Sequence, residues 1–286
     1  MKNLKDKTAV ITGGASGIGY SLAKKALAEG MRVVIADLDQ AALNKAADSL
    51  GGGEKLLAVA TDVSNSAAID ALATAARAQF GAVHLLCNNA GVGGGGPLWE
   101  QSEEEWDFVL GVNLKGVTNG VRAFTPGMIA QGEGHIVNTA SIAGLVSAVS
   151  TSTYTVSKHA VVALSEVLLG DLQAAEASVG VSVLCPSFVN TNIYKVSDQR
   201  PGGDDSALTD EQRKELKAVE AMIEDFFKTA LSPDEVANMV FEAVVDDQFY
   251  ILTHPEGSRV QIEERLQGIL SLSAPAIVPE GQFPQS

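Results

Sequence analysis

The hydrophobic positions of the chain alternate between two patterns. Short runs rich in β-branched residues are followed by longer segments in which apolar residues recur every three or four positions. The first pattern is typical of buried strands, and the second of helices with one buried face. Because parallel strands need helical crossovers, the alternation predicts an α/β fold, a seven-stranded parallel sheet with helices on both faces. The seven predicted strands are Thr8–Ile11, Val33–Ala36, Leu56–Ala60, Val83–Cys87, Ile136–Thr139, Val181–Leu184 and Phe249–Leu252. The predicted helices are Ile18–Ala28, Gln40–Leu50, Ser66–Phe80, one on each side of Asn113, Tyr154–Ala174 and Pro233–Val245.

Two segments interrupt the alternation. A polar stretch at about 192–231 follows the sixth predicted strand, and a tail at about 253–286, with a helical pattern at Val260–Leu270, follows the seventh. The glycine-rich run Gly91–Gly96 is too short for a domain linker, and strands continue on both sides of it. We therefore expect residues 1–286 to form a single doubly wound, Rossmann-like domain with one insertion and a C-terminal extension.

Composition narrows the class of protein. The formal net charge is −15, and a surface this acidic repels nucleic-acid phosphates and anionic lipid. The chain shows neither a signal-peptide pattern at its start nor an apolar run long enough to span a membrane. Its two cysteines, Cys87 and Cys185, lie in apolar runs without a CxxC pair, as expected of buried thiols in a reducing compartment. We expect a soluble, cytoplasmic protein that binds neither nucleic acid nor membrane.

Histidine spacing gives no indication of a metal site. The four histidines are His84, His135, His159 and His254, and they form no HExxH motif and accompany no cysteine cluster. We expect structural roles for them and no metal.

Glycines cluster where the first predicted strand meets its helix. The segment Thr12–Gly19 reads TGGASGIG, with glycines spaced Gly-x-x-x-Gly-x-Gly. Glycines allow the backbone to approach a pyrophosphate closely, and the N-terminus of the following helix offers free N–H groups to that anion. The context after a strand and before a helix predicts a dinucleotide-binding loop. The loop residues assigned to the cofactor site are Gly13, Ser16, Gly17, Ile18 and Gly19.

The end of the second predicted strand indicates which dinucleotide binds. The Asp37 carboxylate can accept both ribose hydroxyls of an adenosine, and it would oppose a 2′-phosphate by about 4 kcal/mol at ~4 Å before salt screening. The neighbouring Ala15, Ser16 and Leu38 carry no charge. Arg32 lies about 16 Å away along an extended strand, too far to compensate. We therefore predict NAD as cofactor and assign Asp37 and Leu38 to its site.

A second group of polar residues follows the later strands. Tyr154 and Lys158 are four positions apart at the start of a predicted helix and therefore share one face. A phenol with a pKa near 10 needs nearby positive charge to ionise near pH 7, and Lys158 together with an oxidised nicotinamide supplies it. Ser141 follows the fifth strand, where open α/β sheets place ligand groups. Asn113 lies inside a helical pattern that it disfavours, which predicts a local kink holding a water.

Together these segments resemble the short-chain dehydrogenase/reductase family. The resemblance covers about residues 5–252, and its motifs fall in order at the predicted strand ends. The matching segments are Thr12–Gly19, Asp62-Val63, Asn88–Gly91, Asn113, Ser141, Tyr154–Lys158 and Pro186–Thr191. The resemblance implies an oxidoreductase that moves a hydride between NAD(H) and a secondary alcohol or ketone. It implies that Tyr154 is the acid/base, that Lys158 lowers the pKa of Tyr154, and that Ser141 holds the substrate oxygen.

Further roles follow from the resemblance alone. It implies that the water held by Asn113 relays protons between Lys158 and solvent, and that Asn88 steadies the sheet. Val189 and Thr191 would meet the nicotinamide carboxamide. The residues implied to lie against the adenosine are Asp62, Val63, Asn89, Ala90 and Gly91.

The resemblance also has one departure. Relatives usually carry Pro-Gly after the sixth strand, whereas this chain has Pro186-Ser187, which alters the loop that meets the nicotinamide. The stretch 192–231 stands where the family keeps its substrate-covering segment. The expected pocket walls are apolar and favour an apolar or aromatic substrate; they are Val92, Ala143, Val149, Phe188, Ile193 and Tyr194.

Two alternative functions remain open at this point. One is a 3-oxoacyl thioester reductase, although the insertion lacks the basic balance that a phosphorylated carrier would favour. The other is a catalytically vestigial dinucleotide-binding regulatory module, which would need only the glycine-rich loop.

The resemblance further implies a homodimer or homotetramer. Relatives associate through two long helices, here about 113–131 and 154–174. The second helix carries an apolar surface too wide for one buried face, formed by Ala160, Val161, Ala163, Leu164, Val167 and Leu168. Either a second copy of the chain or the C-terminal extension covers this surface.

Overall fold

A seven-stranded parallel sheet forms the centre of the molecule. The computed structural model describes residues 1–191, 193 and 230–279. The strands of this sheet are β1 (Thr8–Thr12), β2 (Arg32–Asp37), β3 (Leu56–Ala60), β4 (Leu85–Asn88), β5 (Gly134–Thr139), β7 (Val179–Cys185) and β8 (Tyr250–Leu252). Their order is β3-β2-β1-β4-β5-β7-β8, so the chain reverses its direction of winding between β1 and β4. Open sheets of this kind bind ligands at the crevice outside the carboxyl ends of those two strands.

Helices cover both faces of this sheet, which confirms the α/β prediction. The helices are α1 (Gly17–Ala28), α2 (Gln40–Leu50), α3 (Ser66–Phe80), α4 (Glu103–Leu110), α5 (Gly116–Gln131), α6 (Ser152–Ala174), α7 (Pro233–Asp246) and α8 (Pro255–Leu270). Apolar side chains of α1, α2 and α7 form one core against the sheet, and those of α3, α5 and α6 form a core on the other face. No helix among the described residues is long and apolar enough to cross a membrane.

Local sequence signals set several of the helix ends. The Asp39 carboxylate accepts the Ala41 N–H at 2.8 Å at the start of α2, as an N-cap does. A capping box between Ser232 and Glu235 begins α7. Gly132, with a φ of +72°, ends α5 in the left-handed conformation that glycine adopts without strain.

The structure differs from the sequence prediction mainly at three places. Strand β4 begins two residues later than expected and extends to Asn88. The Asn88 side chain donates to the Asn138 side chain on β5 at 2.9 Å, which continues the pairing of the two strands. A second, two-stranded parallel sheet was not predicted: it pairs β6 (Ser147–Ala148) with β9 (Ile277–Val278). Helix α8 begins at Pro255, five residues before the helical pattern seen in the tail. Most of the stretch 192–231 lies outside the described residues.

Candidate active site

The glycine-rich loop lies at the crevice between β1 and β4. Gly13 and Gly17 have φ values of +66° and +51°, which disfavour any residue with a side chain. A Cβ on Gly19 would overlap the Gly13 carbonyl oxygen, and one on Gly13 would lie 2.9 Å from Cα of Ala90. The backbones of the loop, the start of α1 and the end of β4 are therefore packed so closely that only glycine fits.

Thr12, which sequence reasoning treated only as part of the motif, joins the loop to the end of β4. Its Oγ1 accepts the N–H groups of Asn89 and Ala90 at 3.0 and 3.1 Å. The Asn89 side-chain amide donates to the Thr12 carbonyl at 3.1 Å, and Thr139 donates to the Asn89 side-chain oxygen at 3.4 Å. The predicted site residues Asn89 and Ala90 are thus held beside the loop, and the side chain of Asn88 is used within the sheet as expected.

Asp37 lies beside the loop at the end of β2. Its Oδ2 accepts the Ala15 N–H at 3.0 Å and its Oδ1 accepts the Leu38 N–H at 2.8 Å. Ser16 and Leu38 are exposed at the same place, and Ser16 makes no capping hydrogen bond to α1. The carboxylate therefore fixes the first turn of the loop and at the same time brings negative charge to its rim.

The remaining predicted adenosine contacts lie after β3. Val63 is buried, and its carbonyl accepts the Asn119 side-chain amide at 2.9 Å. The Asp62 carboxylate accepts the N–H and hydroxyl of Ser64 at 2.9 and 2.7 Å, which closes the turn in front of α3. The structure thus places this pair at the carboxyl edge of the sheet, one strand beyond Asp37.

Tyr154, Lys158 and Ser141 come together at the carboxyl ends of β5 and β7. The Ser141 side chain lies close enough to the Tyr154 hydroxyl to lower its pKa, and its Oγ donates to the Pro186 carbonyl at 3.3 Å. The Lys158 Nζ lies 5.5 Å from the centroid of the Tyr154 ring and donates to the Thr139 carbonyl at 3.0 Å. Helix α6 presents the tyrosine and the lysine on one face, as their spacing predicts, and the end of β5 holds the amine. Sequence reasoning missed Thr139, whose only signal was its place at the end of a strand.

Burial shifts the ionisation of both groups in the direction that disfavours charge. Desolvation raises the pKa of Tyr154, and the Ser141 side chain partly offsets that rise. Desolvation also lowers the pKa of Lys158 from its ordinary 10.5 to about 8, and the side chain is only 2% exposed. Lys158 therefore still carries its proton at neutral pH, but its pKa lies only slightly above that pH.

Asn113 lies in a π-helical turn, Gly111–Lys115, between α4 and α5. Its Oδ1 accepts the Val92 N–H at 2.8 Å, and its Nδ2 donates to the Val92 carbonyl at 3.0 Å and to Ser157 Oγ at 3.1 Å. A Cβ built on Gly91 would lie 3.4 Å from Asn113 Oδ1 and 3.5 Å from Lys158 Nζ. The helical irregularity expected at Asn113 takes the form of this π-turn, and the asparagine ties the glycine-rich run after β4 to α6 beside the buried lysine.

The loop after β7 completes the site. Ser187, at the position where relatives usually have glycine, donates its N–H to Thr253 Oγ1 at 3.0 Å. Val189 is buried and pairs with Leu231, and a Cβ on Gly17 would lie 3.1 Å from the Thr191 methyl group. Thr191 therefore lies next to the dinucleotide-binding loop.

The expected pocket walls differ in exposure. The Val149 side chain is 49% exposed, whereas Ala143 is buried. Val92, Phe188 and Ile193 are partly exposed. Tyr194 lies outside the described residues.

His135 and His84 are neighbours, and the His135 N–H donates to the His84 carbonyl at 2.8 Å. His135 is buried in the sheet and its ring hydrogen-bonds Ser182 at 2.8 Å. Within the described part of the chain, no three histidine, cysteine or acidic side chains are grouped as metal ligands would be.

The residues of the loop fit a bound dinucleotide. The close packing of Gly13, Gly17 and Gly19 leaves the backbone at the start of α1 accessible to a pyrophosphate, and Asp37 stands where an adenosine ribose would follow. These residues would hold the cofactor's phosphates and ribose.

Comparison with known proteins agrees with this geometry. The sequence profile described as short chain dehydrogenase matches residues 7–201. The chain belongs to the short-chain dehydrogenase family. It is 35% identical to the CLA biosynthesis dehydrogenase/reductase of Lactiplantibacillus plantarum over 97% of this chain and 98% of that protein. It is 32% identical to the 1-deoxy-11-beta-hydroxypentalenate dehydrogenase of Streptomyces exfoliatus over 98% of this chain and 95% of that protein.

A solved structure shows the same family with its cofactor. A short-chain dehydrogenase/reductase from Burkholderia phymatum in complex with NAD superposes with a TM-score of 0.88 and is 44% identical. The match covers 96% of this chain and 98% of that chain. The family, the fold and the expectation of an NAD-dependent oxidoreductase are thereby confirmed.

Proposed function

We propose that this short-chain dehydrogenase interconverts a secondary alcohol and its ketone, with Tyr154 as the acid/base. The observation that carries the proposal is the meeting of three groups: Ser141 lies close enough to the Tyr154 hydroxyl to lower its pKa, and the Lys158 ammonium lies 5.5 Å from the centroid of the tyrosine ring. A substrate oxygen placed between the two hydroxyls would be held by Ser141 and would exchange its proton with Tyr154.

Each residue of this group has a distinct part in the reaction. Bound NAD supplies the hydride acceptor and, in its oxidised form, a second positive charge. Lys158, fixed by the Thr139 carbonyl, stabilises the phenolate of Tyr154, whose pKa burial alone would raise. Asn113 lies in the π-turn and donates to Ser157 of α6, and we assign the proton-relaying water to this turn.

We assign the cofactor contacts to the loop and to the strand ends around it. The phosphates bind at Gly13, Ser16, Gly17, Ile18 and Gly19; Asp37 and Leu38 receive the adenosine ribose. Adenine lies against Asp62 and Val63, and the adjoining ribose against Asn89, Ala90 and Gly91. The carboxamide of the nicotinamide meets Val189 and Thr191. The closeness of Thr191 to Gly17 supports this arrangement.

The substrate we propose is apolar or aromatic. Support comes from the apolar residues expected to form the pocket walls, of which Val149 is half exposed and Ala143 is buried. The pentalenate relative, whose name describes a hydroxylated substrate that is dehydrogenated, also supports an alcohol.

A panel of secondary alcohols tests the proposal. Oxidation of 1-phenylethanol, cyclohexanol and 2-octanol with NAD is followed by absorbance of the reduced nicotinamide. We expect turnover of at least one alcohol, and Tyr154→Phe, which removes only the hydroxyl, should abolish it while NAD affinity stays within severalfold. Full turnover by Tyr154→Phe would remove Tyr154 from the acid/base role.

We also propose that the chain is one domain over 1–286, acts in the cytoplasm and forms a homo-oligomer. Val156 and Val167 on the outer face of α6 are 44% and 62% exposed. The described part of the C-terminal segment pairs with and packs on residues 142–148. A second copy of the chain is therefore the occupant we propose. Light scattering at micromolar concentration should give a dimer or tetramer, and a monomer of about 30 kDa would contradict it.

A further inference from the structure

The C-terminal segment reaches back to the reacting centre through the β6–β9 pair. Ser147 pairs with Ile277 and Ala148 pairs with Val278, and the Val149 N–H donates to the Val278 carbonyl at 3.1 Å. These contacts join residues about 130 positions apart in the chain.

Strand β6 belongs to the segment that connects two residues of the proposed reaction. Ser141 stands at one end of this segment and Tyr154 just beyond the other. Between them, Ser150 adopts a left-handed φ of +58° and accepts the Gly96 N–H at 2.9 Å. The segment is therefore held on one side by the glycine-rich run after β4 and on the other by β9.

Val278 and its neighbour Ile277 face opposite ways. Val278 is 7% exposed and packs in a small cluster with Ile142 and Val146, which are 2% and 1% exposed. Ile262 of α8 is packed against the same cluster. Ile277 is 47% exposed, because successive side chains of a strand point to opposite faces.

The cluster is connected to Ser141 through the backbone, because Ile142 directly follows Ser141 in the chain. Ile142 begins the short 3₁₀ helix Ile142–Gly144, and Ser141 caps that helix by accepting the Ala143 N–H on its Oγ at 3.1 Å. A shift of Ile142 would therefore change the position of the hydroxyl that contacts Tyr154.

We propose that Val278 is a positioning residue: β9 holds the segment 141–149 so that Ser141 and Val149 keep their places in the substrate site. The effect of Val278 on catalysis rests on the proposed function, whereas its effect on the position of the segment 141–149 does not. The C-terminal extension is then part of the substrate site's architecture, although it contributes no group to the chemistry.

Amide hydrogen exchange in the full-length protein tests the structural step without any substrate. In Val278→Asp, a carboxylate replaces the buried apolar side chain of valine and should release β9, so the Val149 amide should exchange at least about tenfold faster. The Ala143 amide, which reports the Ser141 cap, should accelerate with it. Ile277→Asp is the matched control in the same strand and should leave both rates unchanged. Acceleration at Val149 without acceleration at Ala143 would overturn the proposal.

Kinetics with 1-phenylethanol and NAD test the catalytic step. In Val278→Asp we expect kcat to fall about tenfold or more, as small misplacements of reacting groups do, while the Kd for NAD stays within twofold. Val278→Ala, which keeps the site apolar, should give a smaller loss in the same direction. A kcat within twofold of wild type when both amides exchange faster would refute the positioning role. If Tyr154→Phe retained turnover, the proposed chemistry would fail, yet the exchange result for Val278 would still stand or fall separately.

Discussion

The buried amine of Lys158 makes the stability of the protein depend on pH in a defined direction. Its pKa is about 8 in the folded protein and 10.5 ordinarily, so between these values the unfolded chain binds more protons. Burying the charged amine therefore lowers the free energy of unfolding. This destabilisation is fully present below pH 8 and disappears as pH rises through 10.5.

Substitution by methionine should reveal that contribution. At pH 7, Lys158→Met should have a higher free energy of unfolding than the wild-type protein, because methionine keeps the packing but has no charge to bury. Its advantage over wild type should shrink by about 2 kcal/mol between pH 7 and pH 9.5. Urea denaturation of the cofactor-free protein at both pH values measures the difference, and a difference that did not vary with pH would contradict the assigned pKa.

Asp37 combines two functions that substitution can separate. Asp37→Asn keeps a side-chain acceptor for the loop but removes the charge, and we expect the ratio of kcat/KM for NAD over NADP to fall by about a hundredfold. Asp37→Ala should also relax the preference, but it removes both acceptors of Ala15 and Leu38 and should raise KM for either cofactor. A wild-type protein that already prefers NADP would show the charge argument to be wrong.

At the scale of single elements, two glycines of α5 should respond oppositely to the same change. A Cβ on Gly120 would overlap the side-chain oxygen of Asn88, whereas one on Gly127 meets nothing within 4 Å. Gly120→Ala should therefore cost about 1–3 kcal/mol of stability through overpacking. Gly127→Ala should be stabilising by up to about 1 kcal/mol, because alanine is the better helix former.

Chemical denaturation of the two glycine variants provides the measurement. Each variant serves as the control for the other, since both lie in the same helix. Equal effects of the two substitutions would show that α5 does not pack on β4 at Asn88 as described.

The elements that the sequence predicts well are those with long, regular patterns. The seven strands and the helices around Asn113 follow from periodicity, and the disfavoured position of Asn113 pointed to the place where the helix becomes a π-turn. The β6–β9 pair could not be predicted, because two-residue strands show no periodicity and their partners are remote in sequence. The hydrogen bonds between Asn113 and Val92 could not be predicted either, since they depend on the path of a glycine-rich loop.

At the scale of the whole molecule, strand order explains why the site residues could be found from their positions. All seven strands of the main sheet are parallel, so the loops after β1, β4, β5 and β7 meet at one edge. That edge carries Thr12, Asn89, Ser141 and Thr191, each directly after or near a strand end. Strand order does not determine how each side chain is oriented. The hydrogen bond from Lys158 Nζ to the Thr139 carbonyl, for example, could not be predicted from it.

The small cluster under β9 has a consequence for how the protein responds to warming. Its three buried side chains, Ile142, Val146 and Val278, form a cluster distinct from the large cores on the two faces of the sheet. Regions with few buried apolar contacts open at a lower free energy than the whole molecule does.

Heat should therefore inactivate this dehydrogenase before it melts. We expect the rate measured at each temperature to decline several degrees below the midpoint of the circular dichroism transition, and to recover on cooling. Val278→Ala should widen the gap by lowering the inactivation temperature, while the melting midpoint changes little. Coincident inactivation and melting curves would mean that the tail and the sheet open together, as one cooperative unit.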